Sequence, residues 1–419
     1  MMREFLELNP PQKFWEKISE YLINKEFASE KLNLDDALGR IISEDILSPV
    51  NLPPFSRSTV DGYAVKAQDT AGASASMPTY LDIIGSIEMG EKTELSISSG
   101  QTAAVPTGGM LPEGTDAVLM IENTEKIEEK MIESSKSLAV GENVVKKAED
   151  IAEGEILFKK GRRLMARDIG ALAGLGITEL SCFKKPTASV ISTGDELIDP
   201  EDEAEEGQIR DINSYSISSY LTKLGAVGKR VGIIEDEFEK LKSAVEDNLD
   251  SEIVLISGGS SVGVKDMTID ILNSFGEPGV VLHGLSIKPG KPTILAFVEG
   301  SIVIGLPGHP ASAWTVTNIL VSEIIRVLTG EKTPEEIGED REIYRIKAEL
   351  SRDLVSDKGR EEYIPIKTKK DENGKLIAEP MLGKSSLITN LVQGNTLLKI
   401  ESYQEGLDKG EIVELSLME

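Results

Sequence analysis

Lys288 and Lys291 lie three residues apart in Lys288-Pro-Gly-Lys-Pro292, between Ser257-Gly-Gly-Ser-Ser-Val-Gly263 and Gly305-Leu-Pro-Gly-His-Pro310. All three segments are predicted to be loops that directly follow strands. Glycine lets backbone N–H groups crowd around an oxyanion, hydroxyl and ammonium groups add donors, and a helix starting after the loop adds its positive end. Together they predict a site for a phosphate or a small tetra-oxo anion, with Pro289 and Pro292 stiffening the two lysines.

Acidic residues accompany these loops. Ser192-Thr-Gly-Asp-Glu-Leu197 follows a predicted strand, so Asp195 and Glu196 would face the same mouth, with Asp236 at another strand end and Asp266 opening the helix after the glycine loop. Carboxylate oxygens without cysteine or histidine suit Mg²⁺, which keeps several waters and bridges to phosphates. The spacing also allows a plainer reading, in which Asp266 is an N-terminal helix charge and Asp236 an N-cap. The only histidines are His283 and His309. That argues against a histidine-based metal centre and leaves His309, at a helix start, as a candidate anion contact. The chain lacks a Gly-x-x-x-x-Gly-Lys-Ser/Thr loop and a Gly-x-Gly-x-x-Gly fingerprint.

The elements that must position these residues alternate between strand and helix. Strands are predicted at 188–191, 228–234 and 253–256, and helices at 214–224, 238–249 and 266–275. That alternation implies a mainly parallel, doubly wound α/β sheet with ligands at the carboxyl ends of its strands. Upstream, apolar spacing predicts helices over 10–24, 34–40 and 163–176, whereas 51–145 reads as a β domain inserted into a helical one. A largely apolar helix is expected from Ala311 to about Leu328, and short β runs after 341 suggest a barrel or sandwich. The expected division is therefore 1–50 with 146–186, 51–145, 187–332 and 341–419.

The 419 residues carry 72 Asp+Glu against 45 Lys+Arg, a formal charge of −27. Such a charge repels nucleic acid and anionic membranes, so an anionic ligand needs a local positive pocket. One cysteine, Cys182, allows no intrachain disulfide, and with no apolar leader at the N-terminus a cytoplasmic setting is expected.

Pro53-Pro-Phe-Ser-Arg-Ser-Thr-Val-Asp-Gly-Tyr-Ala-Val65, Ser192–Leu197 and the three loops, in this order over nearly the whole chain, resemble the molybdopterin molybdotransferases, relatives of the gephyrin E domain. The resemblance implies a discontinuous elongated helical domain, an inserted β domain, a molybdopterin-binding α/β domain and a C-terminal β barrel. It also implies a homodimer whose active site is shared between subunits. The implied reaction takes adenylated molybdopterin and molybdate or tungstate, releases AMP with the help of Mg²⁺, and leaves the metal on the dithiolene sulfurs. A molybdopterin adenylyltransferase is an implied partner. Carried over by motif position, Asp61, Thr107, Asp150, Glu196 and Asp236 are catalytic, and Asp195, Glu196, Asp236 and Asp266 hold Mg²⁺. Ser257, Gly258, Gly259, Ser261, Gly263, Pro307, Gly308 and Pro310 would cradle pterin or phosphate, while Lys288, Lys291, Ser312, Arg360 and Ser386 would hold the oxyanion. His309 departs from the family, which commonly has Asn there. Two rival readings are a non-catalytic gephyrin-like scaffold and a molybdopterin adenylyltransferase. The second would leave the Pro53–Val65 segment unexplained.

Overall fold

The computed structural model describes residues 8–258, 262–339, 345–383, 386 and 388–418. They form two compact units, one made of Leu32–Leu38 and Glu44–Leu180, the other of the chain up to Lys31, Gly39–Ser43 and everything from Ser181.

The first unit is built around a six-stranded sheet in the order Ala117–Met120, Gly62–Val65, Gln101–Val105, Thr79–Ser86, Met131–Ser134 and Thr124–Ile127. Side chains alternate across a sheet, and here both faces are covered. Tyr63, Val65, Leu119 and Ile132 enter one apolar cluster, and Ala64, Ala103, Val105 and Val118 the other. Two short antiparallel pairs, Ile46–Leu47 with Ile156–Phe158 and Arg57–Ser58 with Val144–Val145, accompany the helix Ala166–Gly174. The helix expected over 34–40 is only a 3₁₀ turn, Leu34–Asp36, since Gly39 takes a positive φ and ends it.

In the second unit the elements run α1 (Pro11–Leu22), β1 (Thr187–Thr193), α2 (Asn213–Leu224), β2 (Val227–Ile234), α3 (Phe238–Glu246), β3 (Ile253–Gly258) and α4 (Val262–Ser274). Then follow β4 (Gly279–His283), β5 (Ile287–Lys288), β6 (Ile294–Val298), β7 (Ser301–Leu306), α5 (Pro310–Val316) and α6 (Ser322–Leu328). The sheet order is β2-β1-β3-β7-β6-β4. β2, β1, β3 and β7 are parallel, and β6 runs against both β7 and β4. The inner strands β3, β7 and β6 are largely apolar runs because both faces are buried, whereas the edge strand β2 carries the exposed Lys229 and Arg230. Val190, Ile253, Leu255 and Ile304 pack beneath α1, α2, α5 and α6, whereas Ile191, Val254, Ile256 and Val303 pack beneath α3 and α4. The stripe Phe14, Trp15, Ile18 and Leu22 thus places α1 in this core, apart from residues 146–180 of the segment with which the sequence grouped it. The continuous helical run Pro310–Leu328 has the composition of a membrane span over 19 residues, but 78% of that window is buried, as befits the core helix it is.

A closed barrel of five strands completes this unit: β8 (Arg345–Leu350), β9 (Glu361–Lys370), β10 (Leu376–Pro380), β11 (Thr396–Ile400) and β12 (Ile412–Leu417). The circuit runs β9-β10-β8-β12-β11 and back to β9, around Ile364, Ile366, Leu398 and Leu415. The short helix α7 (Ile388–Gln393) between β10 and β11 packs against α5 and β9.

Candidate functional site

Register places the loops together at one edge of the α/β sheet. Thr193 aligns with Ile234 and with Gly258, and Ser257 with Leu306, so β1, β2, β3 and β7 end level. β6 begins at the same edge, where Ile294 faces both Gly305 and His283. The lysine loop, between β4 and β6, therefore also lies at the carboxyl edge. One expectation changes: Ile287–Lys288 is not a strand of the α/β sheet but pairs in parallel with Glu361–Glu362 of the barrel. The antiparallel return of β6 puts the loop at this edge instead.

Close packing explains two glycines. At Gly258 (φ +152°) a Cβ would lie 1.9 Å from the Thr193 carbonyl oxygen, so β3 approaches β1 there only without a side chain. At Gly290 (φ +124°) a Cβ would lie 2.6 Å from Ile287 Cδ1 and 2.8 Å from Val316 Cγ2. The lysine turn is closed by Leu285 N–H donating to the Lys291 carbonyl at 2.9 Å and Thr293 Oγ1 donating to the Gly290 carbonyl at 2.7 Å. Lys291 is exposed and makes no ion pair among the described residues, whereas Lys288 Nζ lies 2.9 Å from Glu362 Oε1.

Asp195 and Glu196 are exposed just beyond β1. Asp195 Oδ1 accepts from the Asp236 N–H at 3.1 Å, and Asp236 Oδ1 accepts from Thr193 Oγ1 at 2.5 Å. Asp236 is therefore not the N-cap, a position taken by Glu237. Burial raises the Asp236 pKa, and the charges of Asp195 and Glu196 raise it further against the Thr193 hydrogen bond. Asp266 is exposed and beyond the first turn of α4, which starts at Val262, so it does not open that helix. Among the described residues no three acidic, histidine or cysteine side chains form a ready-made metal cage.

Ser257 is buried at the end of β3 and Gly258 continues that strand; Gly259 and Ser261 lie outside the described residues, and Gly263 is in the first turn of α4. Pro307 is buried, His309 is the exposed N-cap of α5, and Pro310 and the buried Ser312 occupy its first turn. Arg360 forms a 3.2 Å ion pair with Asp357 and precedes β9, the strand beside Lys288. Ser386 is an exposed turn residue just before α7, which packs on α5.

Two residues absent from the sequence reading join these loops. Asn213 Nδ2 donates to Ser257 Oγ and to the Gly308 carbonyl, each at 2.8 Å. A carbonyl can only accept, which fixes the amide orientation. Its buried Oδ1 has no hydrogen-bond partner among the described residues. Asp211, also buried, accepts from Ser192 Oγ at 2.7 Å and from Ser214 Oγ at 2.6 Å, tying the end of β1 to the start of α2. The signal was local: Asp211-Ile-Asn-Ser214 directly before an apolar helical pattern is a capping sequence.

In the other unit, one carboxylate oxygen of Asp61 accepts both the Thr107 N–H at 2.7 Å and Thr107 Oγ1 at 3.0 Å. These bonds hold the Asp61 pKa below the usual carboxylate value. The pairing of Gly62 with Val105 brings the two loops to the same sheet end. Asp150 is exposed at a bend, its N–H donating to the Leu52 carbonyl at 3.1 Å.

Residues 11–176 match the MoeA N-terminal region (domain I and II), 189–327 a probable molybdopterin binding domain and 347–418 the MoeA C-terminal region (domain IV). A putative molybdopterin biosynthesis protein of Methanocaldococcus jannaschii is 30% identical, with 100% of this chain and 99% of that one covered. The chain belongs to the MoeA family. A molybdopterin molybdenumtransferase of Bacillus subtilis is also 30% identical, over 94% of this chain and 91% of its own. Two solved structures of the molybdopterin biosynthesis MoeA protein from Pyrococcus horikoshii give TM-scores of 0.83 and 0.82 at 35% and 29% identity, each over 98% of this chain. Within this MoeA family member, the carboxyl edge just described falls in the segment that matches the molybdopterin binding domain.

Proposed function

We propose that this chain is a molybdopterin molybdotransferase: it takes adenylated molybdopterin and molybdate or tungstate, releases AMP, and leaves the metal on the dithiolene sulfurs. The observation that carries this reading is the presence, along one sheet edge, of an oxyanion-sized donor group and a carboxylate group. Lys288 and Lys291 supply charge-assisted donors for a tetrahedral dianion, and β5–β9 pairing brings the Arg360 segment beside them. Ser257, Gly258 and Pro307–Pro310 cradle the pterin or its phosphate, and the buried Asn213 Oδ1 offers an acceptor suited to a pterin N–H.

Asp195, Glu196 and Asp236 fit Mg²⁺, because burial and then the charges of Asp195 and Glu196 raise the Asp236 pKa, and a bound cation offsets both. Mg²⁺ takes one or two carboxylates plus waters and substrate oxygens, so it needs no closed protein cage. When bound it would neutralise charge on the pyrophosphate as AMP leaves. Asp266 joins this set on motif position alone. Asp61, fixed by Thr107 and kept ionised, suits holding a cation or accepting a hydrogen bond, with Asp150 as a second carboxylate. Family resemblance makes these last three residues candidates for acting across a homodimer in the cytoplasm. Of the expected division we keep 51–145, 187–332 and 341–419 as domains, with α1 assigned to the α/β core rather than to 146–186.

The test is reconstitution: purified chain, adenylated molybdopterin, Mg²⁺ and molybdate are mixed with the apo form of a molybdenum enzyme. Recovery of that enzyme's activity only when the chain and oxyanion are both present supports the assignment. Pterin binding without recovery contradicts it.

A further inference from the structure

Lys288 does not stand alone at the anion edge. Its partner Glu362 comes from the barrel, 74 positions along the chain, and the two residues are register neighbours in the parallel β5–β9 pairing. The ammonium lies 2.9 Å from Glu362 Oε1, with the lysine side chain 44% exposed and the glutamate only 12%. Ser356 Oγ donates to the other oxygen at 2.7 Å, which fixes the carboxylate. The Glu361 N–H donating to the Ser286 carbonyl at 2.9 Å locks the backbone register. An ammonium has three N–H donors. One is committed to Glu362 and two remain for an incoming oxyanion.

We propose that Glu362 is a positioning residue for the oxyanion site, an inference that rests on the molybdotransferase reading above. It holds the Lys288 ammonium in place on its flexible four-carbon stem, and its negative charge moderates how tightly a dianion is held. The barrel thereby sets oxyanion affinity through a carboxylate as well as through Arg360. An ion pair that merely fastened the barrel to the α/β sheet would affect stability and leave oxyanion affinity alone.

Two near-isosteric substitutions separate these roles in the full-length protein, read by the molybdate concentration giving half-maximal AMP release and by a thermal melt. Glu362→Gln keeps an acceptor for Lys288 and removes the repelling charge, so half-saturation should fall by about fivefold, the scale of one partly exposed charge pair. Glu362→Met removes the same charge and the acceptor together, so it should require more molybdate than Glu362→Gln, the shift falling on half-saturation more than on the saturated rate. Equal half-saturation in the two variants, or none shifted from wild type, would overturn the proposal whatever the melt shows. If one variant does not fold, the other decides: Glu362→Gln must lie below wild type, and Glu362→Met must not fall as far as fivefold below it. Wild-type protein without oxyanion-dependent AMP release would instead remove the functional reading itself.

Discussion

Asp236 sits half-buried with two further carboxylates repelling its charge, so the folded chain disfavours its ionised form. A carboxyl whose folded pKa is raised contributes stability that is fully present below its unfolded pKa and is lost as pH rises through the folded pKa. At neutral pH, Asp236→Asn should therefore raise the melting temperature of the Mg²⁺-free protein while removing Mg²⁺-dependent turnover; a lowered melting temperature would refute this assignment of strain. By the same sign, Mg²⁺ affinity of the wild type should decline on acidification already above the ordinary aspartate range, as Mg²⁺ titrations at several pH values would register. Asp61 behaves oppositely, since its two Thr107 bonds keep it ionised to lower pH. Asp61→Asn should cut turnover by about 100-fold or more, the scale of losing one preorganised group at a reacting centre, while adenylated pterin stays bound; unchanged turnover would remove it from the chemistry. Asp61 was singled out from its motif, and Asp236 from its place at a predicted strand end. Asn213 was not, because a lone amide at a helix start carries no hint that it bridges two loops 44 and 95 positions away.

Among the elements, the lysine turn shows how local shape serves the site. Gly290 holds a positive φ while fitting between Ile287 and Val316, so Gly290→Ala adds both backbone strain and overlap. A loss of about 1–3 kcal/mol is expected, read as a lower denaturant midpoint together with a raised half-saturating molybdate concentration. A midpoint within error of wild type would show that the turn relaxes freely. The parallel sheet was readable because its inner strands are largely apolar and alternate with amphipathic helices. Helix starts were less so: α4 begins at Val262, ahead of Asp266, so the last residues of the glycine loop are already helical. The β5–β9 pairing could not be read at all. Two residues of strand carry no periodic signal, and their partner lies in a region that reads as a separate domain.

At the level of the whole molecule, the proposed function requires an acidic chain with a formal charge of −27 to gather an anionic pterin and a dianion at a single edge. Lys288, Lys291 and Arg360 supply local positive charge there, and the barrel takes part because its closed sheet extends through β9 to the lysine strand. The five motifs made this organisation legible in outline, since their order spans nearly the full length of the chain. The partition of α1 into the α/β core was hidden, because an apolar stripe says that a helix is buried without saying against what. The most direct measurement is release of AMP from adenylated molybdopterin by the purified protein with Mg²⁺, in the presence of molybdate, of tungstate and of neither. Oxyanion-dependent release is the predicted result, and tight pterin binding with no release under any of the three conditions would contradict the account.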